Sequence, residues 1–205
     1  MSPSVFRLAV ITFVACLMPL MASAQAAAGL DQYQIFSNIN MAIHAATSSG
    51  QWFTVGADGL LSGAELGLTA SGGASEDLVV EVFDFTGGTL GALRGSTTIS
   101  ASDLGPDQTV LMVNSITATL IPLEHLNIVV NSGETIAIRL SSVVTLPDLY
   151  GVRATTLDTY PNGQFLTGGG TAAHMDMMFK IFVARPVFAD DFESSNTGAW
   201  STTQP

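Results

Sequence analysis

Three aromatic side chains with polar neighbours carry the chemistry this sequence could do. Trp52, Tyr150 and Tyr160 could each offer a flat face to the apolar side of a sugar ring, and Asp158, Asn162 and Gln164 lie close to Tyr160 along the chain, where they could bind hydroxyls. The stretch from Tyr150 to Gly170 gathers most of these residues, and its polar side chains need no place in a core. For each aromatic taken alone, the competing reading is core or corner packing.

Other chemistries fare less well. Cys16 falls inside an N-terminal leader pattern, so a cysteine nucleophile is not expected in the mature chain. There is no Gly-x-Ser-x-Gly elbow, and His44, His125 and His174 are scattered without a motif that would make one a base. Zinc needs three or four ligands at workable spacing, and no His-Glu-x-x-His occurs. The run His174-Met175-Asp176-Met177-Met178 offers soft ligands suited to copper, but in a strand Met175 and Met177 share one face while Met178 points to the other. Glu65, Glu81, Asp84, Glu124 and Glu134 could act on sugars as a pair if two of them faced each other at roughly 5 to 10 Å. Asp58, Asp77, Asp103, Asp107 and Asp148 fall in turns where oxygen ligands could hold a structural calcium ion, although no Asp-x-Asp-x-Asp loop is present. No other cofactor is expected.

Composition narrows the classes further. Of 205 residues, 17 are acidic and 6 basic, giving a formal net charge of −11, beside 47% hydrophobic residues. That excludes a basic nucleic-acid binder and a disordered chain, and it argues against anionic lipid as a partner. Arg7, the apolar run Leu8 to Leu17, Pro19 and the small residues Ala22-Ser23-Ala24 read as a signal peptide over 1–24. A lipoprotein signal ending at Cys16 competes with it, but Phe13 is a poor fit there. The apolar run falls short of the roughly 20 residues that span a bilayer, so an integral membrane protein is not expected. Removal of the leader takes Arg7 with it and leaves the chain one unit more negative. The expected destination is outside the cytoplasm: periplasm, cell surface or medium.

The elements that must position these side chains read as strands. Leu126, Ile128 and Val130 alternate with Asn127, Val129 and Asn131, and after Ser132-Gly133 the alternation resumes with Ile136, Ile138 and Leu140, which predicts a β-hairpin. Leu66, Leu68 and Ala70 form a similar run, as do Met175, Met177, Phe179, Ile181 and Val183. Leu78 to Phe85 and Val110 to Ile121 are apolar on both faces for part of their length, as in strands packed inside a sandwich. Asp31 to Thr47 fits either a capped helix or a strand, and the weak helix formers Asn38, Asn40, His44 and Thr47 favour the strand. About eight short strands without crossover helices predict an all-β, antiparallel, jelly-roll-like sandwich over 25–185. An acidic tail over 186–205 follows, carrying Phe192 and Trp200.

The segments QWFTVGADGLLSGAELGL (Gln51 to Leu68), LVVEVFD (Leu78 to Asp84), SGETIAIRL (Ser132 to Leu140), Tyr150-Gly151, Tyr160-Pro161-Asn162-Gly163 and DMMFKIFV (Asp176 to Val183) resemble the jelly-roll-like β-sandwich domains of bacterial secreted and surface proteins, of the choice-of-anchor type. Trp52 departs from the small polar residue expected there. FADDFESSNTGAWS (Phe188 to Ser201) resembles a short segment at the C-termini of exported bacterial proteins, which implies a sorting or attachment tag anchored by Phe192 and Trp200. The stub of a following domain and a disordered acidic tail whose Phe192 and Trp200 dock on the sandwich are the alternatives. The resemblance implies an exported, non-catalytic module that binds a glycan or cell-envelope component. Two other readings stand beside it: an envelope-associated structural protein held by its tail, and a glycan hydrolase.

Overall fold

The structure is a computed structural model, and it describes residues 28–71, 73–104, 118–168 and 170–185. The expected signal peptide, the expected tail with Phe192 and Trp200, and Asp107 lie outside these residues. Fifteen strands occur among those described, against the eight or so expected. They are β1 (Ala28–Gln34), β2 (Ile39–Ile43), β3 (Ser49–Thr54), β4 (Gly59–Leu66), β5 (Leu68–Ser71), β6 (Leu78–Thr86), β7 (Thr89–Ile99) and β8 (Thr119–Pro122). There follow β9 (Val129–Val130), β10 (Thr135–Ser141), β11 (Leu149–Thr155), β12 (Gly163–Thr167), β13 (Gly170–Ala172), β14 (Asp176–Met177) and β15 (Phe179–Ala184). The fold is an all-β antiparallel sandwich.

One layer is a six-stranded sheet in the order β13-β12-β3-β10-β6-β7. The other combines a five-stranded sheet, β1-β15-β4-β8 with β9 also on β4, and a four-stranded sheet, β14-β11-β2 with β5 also on β11. Alternation along each strand sends one set of side chains between the layers. Phe53, Val80, Val82, Ile136, Ile138 and Phe165 come from the first layer, and Leu61, Leu66, Tyr150, Val152, Phe179 and Ile181 from the second. Phe179 lies near the centre, 5.7 Å from the Phe53 ring and edge-on to Tyr160 at 5.2 Å. No helix among the described residues is long and apolar enough to cross a membrane.

Asp31 to Thr47 forms strands, as its weak helix formers favour, with β1 on β15 and β2 on β11. The run expected as one strand from Leu66 to Ala70 is instead broken at Gly67, and that from Met175 to Val183 at Met178. β4 and β15 pair as far as Leu66 and Phe179, then part. Beyond the break, β5 and β14 lie along one edge of β11, and Arg153 sits in the fork: its N–H donates to Gly67 O, and its carbonyl accepts from Met178 N, both at 2.8 Å. Gly67 is needed at this point, because a Cβ there would lie 2.9 Å from Arg153 Cβ and 3.1 Å from Met178 Sδ. Period-2 patterning continues through such a junction, so it could not reveal that the strand changes sheets.

The predicted hairpin over Leu126 to Leu140 does not form. Glu124–Leu126 is a 3-10 turn, Asn127 closes it in a left-handed conformation, and only Val129 and Val130 are extended. β9 pairs with β4, whereas β10 pairs with β3 and β6 in the opposite layer. The turn between them spends its hydrogen bonds on the β3–β4 loop. Ser132 N donates to Asp58 Oδ1 at 2.7 Å, Ser132 Oγ to Gly56 O at 3.0 Å, and Gly133 N to Val55 O at 2.8 Å. Ser-Gly therefore marks a corner between sheets here rather than a hairpin tip. Of the run Val110 to Ile121, β8 contains the end, and its earlier part lies outside the described residues.

Candidate ligand-binding face

The outer face of the six-stranded sheet is unusually apolar. On β10, Ile136, Ile138 and Leu140 enter the main core, which turns Ala137 and Arg139 outward. Register then builds cross-strand rows. Gln164 of β12 opposes Trp52 of β3, Trp52 opposes Ala137, and Ala137 opposes Phe83 of β6. One row along, Leu166, Gly50, Arg139 and Glu81 are aligned. Phe85, Ala137 and Leu166 form a second buried cluster with Trp52 and Leu90 packed on it. This is why Leu78 to Phe85 reads as apolar on both faces: Leu78, Val80 and Val82 serve the main core, Phe85 the outer cluster.

Trp52 stacks on Phe85 with ring centroids 5.1 Å apart and planes 8° from parallel. Its unexpected size at this position is thus used to hold Phe85. Gly50 must stay small, since a Cβ there would fall 2.3 Å from Ile138 O. Arg139 places its guanidinium 4.7 Å from the Phe83 ring centroid and grips Glu81, with Nε 2.9 Å from Oε2 and Nη2 3.0 Å from Oε1.

A cleft of about 200 Å³ opens on this face, lined by Ser49, Phe85, Leu90, Arg139, Leu166 and Thr167 among others. In a flat ladder Phe85 and Leu90 would lie roughly 17 Å along the strands from Ser49 and Thr167. Bulges between Val82 and Phe83 and between Phe83 and Phe85 bend the β6–β7 hairpin, so that its tip overhangs the face. Gly87 and Gly88, with φ of 61° and 83°, make the tight tip. Among the described residues, Arg139 is the only charged side chain in the lining. Ser49, which opposes Leu140 and so turns its side chain to the core, is buried, and neither its Oγ nor Trp52 Nε1 has a hydrogen-bond partner among the described residues.

The residues expected to form the site are thus divided. Trp52 and Gln164 are neighbours on this face. Tyr150 and Tyr160 are not available as sugar platforms, because both rings are buried in the core, 0% and 5% exposed. Tyr150 donates its hydroxyl to Glu76 O and Tyr160 to Gln32 Oε1 at 2.7 Å. Burial pushes both hydroxyls above the ordinary value of 10.0, with Asp77 and Glu76 adding to the effect at Tyr150, and Asp31 and Asp176 at Tyr160. Asp158 is exposed, 3.8 Å from His174 Nδ1, and Asn162 contributes its carbonyl to Thr54 N at 3.0 Å. The loop from Thr155 to Asn162 is pinned from beneath by the buried Asp176. That carboxylate accepts from Gln51 Nε2 at 3.2 Å, Thr159 N at 2.8 Å and Tyr160 N at 2.9 Å.

Among the described residues no three His, Cys, Asp or Glu side chains converge to hold a metal ion. The turn carboxylate of Asp58 caps Ser132 N instead, as Asp31 Oδ2 on β1 takes Gly56 N at 2.9 Å. His174 projects into solvent while Met177 is in the core, so the soft-ligand run does not converge. Four of the five candidate acid/base carboxylates hold cations: Glu65 with Lys180, Glu81 with Arg139, and Asp84 and Glu134 together on Arg94. No protein-family model matches the chain, and no curated protein matches it.

Proposed function

We propose that this protein is an exported, non-enzymatic β-sandwich that binds a glycan or another hydroxylated cell-envelope component on the outer face of its six-stranded sheet. The cleft beneath the β6–β7 hairpin carries the reading, because it combines apolar walls from Phe85, Leu90 and Leu166 with the polar head of Arg139. The N-terminal leader pattern supports export, and the engagement of four candidate carboxylates in ion pairs supports binding rather than hydrolysis.

A glycan array probed with the mature protein and with a Leu90→Trp variant tests this. Leu90 lines the cleft from the outer-face cluster and is only partly buried, so the larger ring fills the cleft without entering the main core. Binding by the parent and its loss in a variant of unchanged melting temperature is expected. A blank array across many polysaccharides, or equal binding by both proteins, overturns the reading.

A further inference from the structure

The two arginines that flank β6 differ in how their donors are used. Arg94 engages all three nitrogens: Nε meets Asp84 Oδ1 at 2.6 Å, Nη2 meets Glu134, and Nη1 donates to Val129 O at 3.2 Å. Among the described residues, Arg139 commits only Nε and Nη2, both to Glu81. Its Nη1 is left with two N–H donors on a residue that lines the cleft.

We propose that the cleft takes one uncharged sugar ring, with Arg139 Nη1 binding its hydroxyls and Phe85, Leu90 and Leu166 enclosing its apolar side. This rests on the glycan-binding reading above. Two observations set the ligand class. At about 200 Å³ the space is below the roughly 300–1,000 Å³ of ordinary small-molecule pockets, so it holds one ring and not several. Glu81 neutralises Arg139, so the site carries donors but no net charge, and the surrounding protein, at −11, repels anions. A single ring is presented by free monosaccharides and by chain ends, so recognition is of terminal units.

The test is a titration of the mature protein with neutral hexoses, pentoses and N-acetylhexosamines and with the matching uronic acids, in low and high sodium chloride, followed by NMR. At least one neutral monosaccharide should bind with an affinity that changes less than about twofold with salt, and uronic acids should bind about tenfold more weakly or worse. An Arg139→Lys variant keeps the charge opposite Glu81 but loses Nη1, and should bind the neutral sugar about tenfold more weakly at an unchanged melting temperature. Preference for a uronic acid with salt-sensitive affinity overturns the neutral-ring assignment. Binding of polysaccharide interiors without any monosaccharide overturns the single-ring assignment and leaves the glycan-binding reading standing. Absence of any sugar binding overturns both.

Discussion

Arg139 and Glu81 meet across β10 and β6 through two parallel hydrogen bonds, Nε to Oε2 at 2.9 Å and Nη2 to Oε1 at 3.0 Å. The pair lies on the outer face, the Glu81 side chain 15% and the Arg139 side chain 34% exposed. Such fork-to-fork geometry fixes the guanidinium plane, so the remaining Nη1 is aimed by the sheet and not by the ligand.

Glu81→Gln should therefore cost about 1–2 kcal/mol in urea unfolding, above an exposed pair and below a buried one. It also leaves Arg139 with an uncompensated charge, so uronic acids should gain affinity over neutral sugars in a salt-dependent way. An unchanged urea midpoint would show that the pair contributes nothing to stability.

Two glycines should respond to alanine in a fixed order. At Gly50 the added Cβ meets Ile138 O at 2.3 Å, and that oxygen belongs to a ladder and cannot retreat. At Gly67 the nearest atoms are the side chains of Arg153 and Met178, of which the thioether can turn aside. Gly50→Ala should cost about 3 kcal/mol or more and Gly67→Ala about 1–2 kcal/mol, compared by thermal unfolding. The reverse order would contradict the packing described at both positions.

Removing the acceptor at Asp176 should loosen a loop rather than a sheet. Asp176→Ala strands the N–H groups of Thr159 and Tyr160 and the Gln51 amide, at a cost of about 2–4 kcal/mol. Hydrogen exchange should show lost protection at the Thr159 and Tyr160 amides while Ile136 and Ile138 stay protected. Retained protection at those two amides would mean that the loop is held by something else.

Alkaline pH should destabilise the protein through its tyrosines. Burial, first among the causes, raises Tyr150 and Tyr160 above the ordinary 10.0, so between that value and the raised ones the unfolded chain has lost protons that the folded chain retains. Stability is full below about pH 10 and falls above it, by at most about 1.4 kcal/mol per pH unit for each tyrosine. Tyr160→Phe should make that decline shallower in urea titrations between pH 9 and 12, while losing the bond to Gln32 at neutral pH. A slope equal to the parent's would exclude Tyr160 as a source.

Fold class was legible in the sequence because alternation reports which face of a strand is buried. It does not report the strand's partner, so Ser132-Gly133 looks like a hairpin tip and the breaks at Gly67 and Met178 leave no trace in the pattern. The site was legible in part. Trp52 and Gln164 were singled out from residue type, yet only the β3–β12 register brings them together. Tyr150 and Tyr160 lie in a loop-rich stretch but turn inward, their rings filling the core while their hydroxyls reach acceptors at its margin, Glu76 O and Gln32 Oε1. Two signals in the sequence point to the outer face of the six-stranded sheet: Phe83 and Phe85 filling the second side of an apolar strand, and Arg139 alone among Ile136, Ala137, Ile138 and Leu140. A lone arginine in such a strand needs an acid across the sheet, and Glu81 supplies it.

The fork at Arg153 also constrains the order in which the molecule can assemble. Gly67, Arg153 and Met178 come from three distant parts of the chain, and the backbone of Arg153 bonds to both of the others. The second layer can close only after residue 178 has arrived, late in synthesis and across long loops. A chain ending before Phe179 should remain sensitive to protease throughout, whereas the longer chain becomes resistant. Among the described strands, β15 comes last along the chain and is also the one that locks the fold, so the molecule is held open until nearly all of its described residues are present.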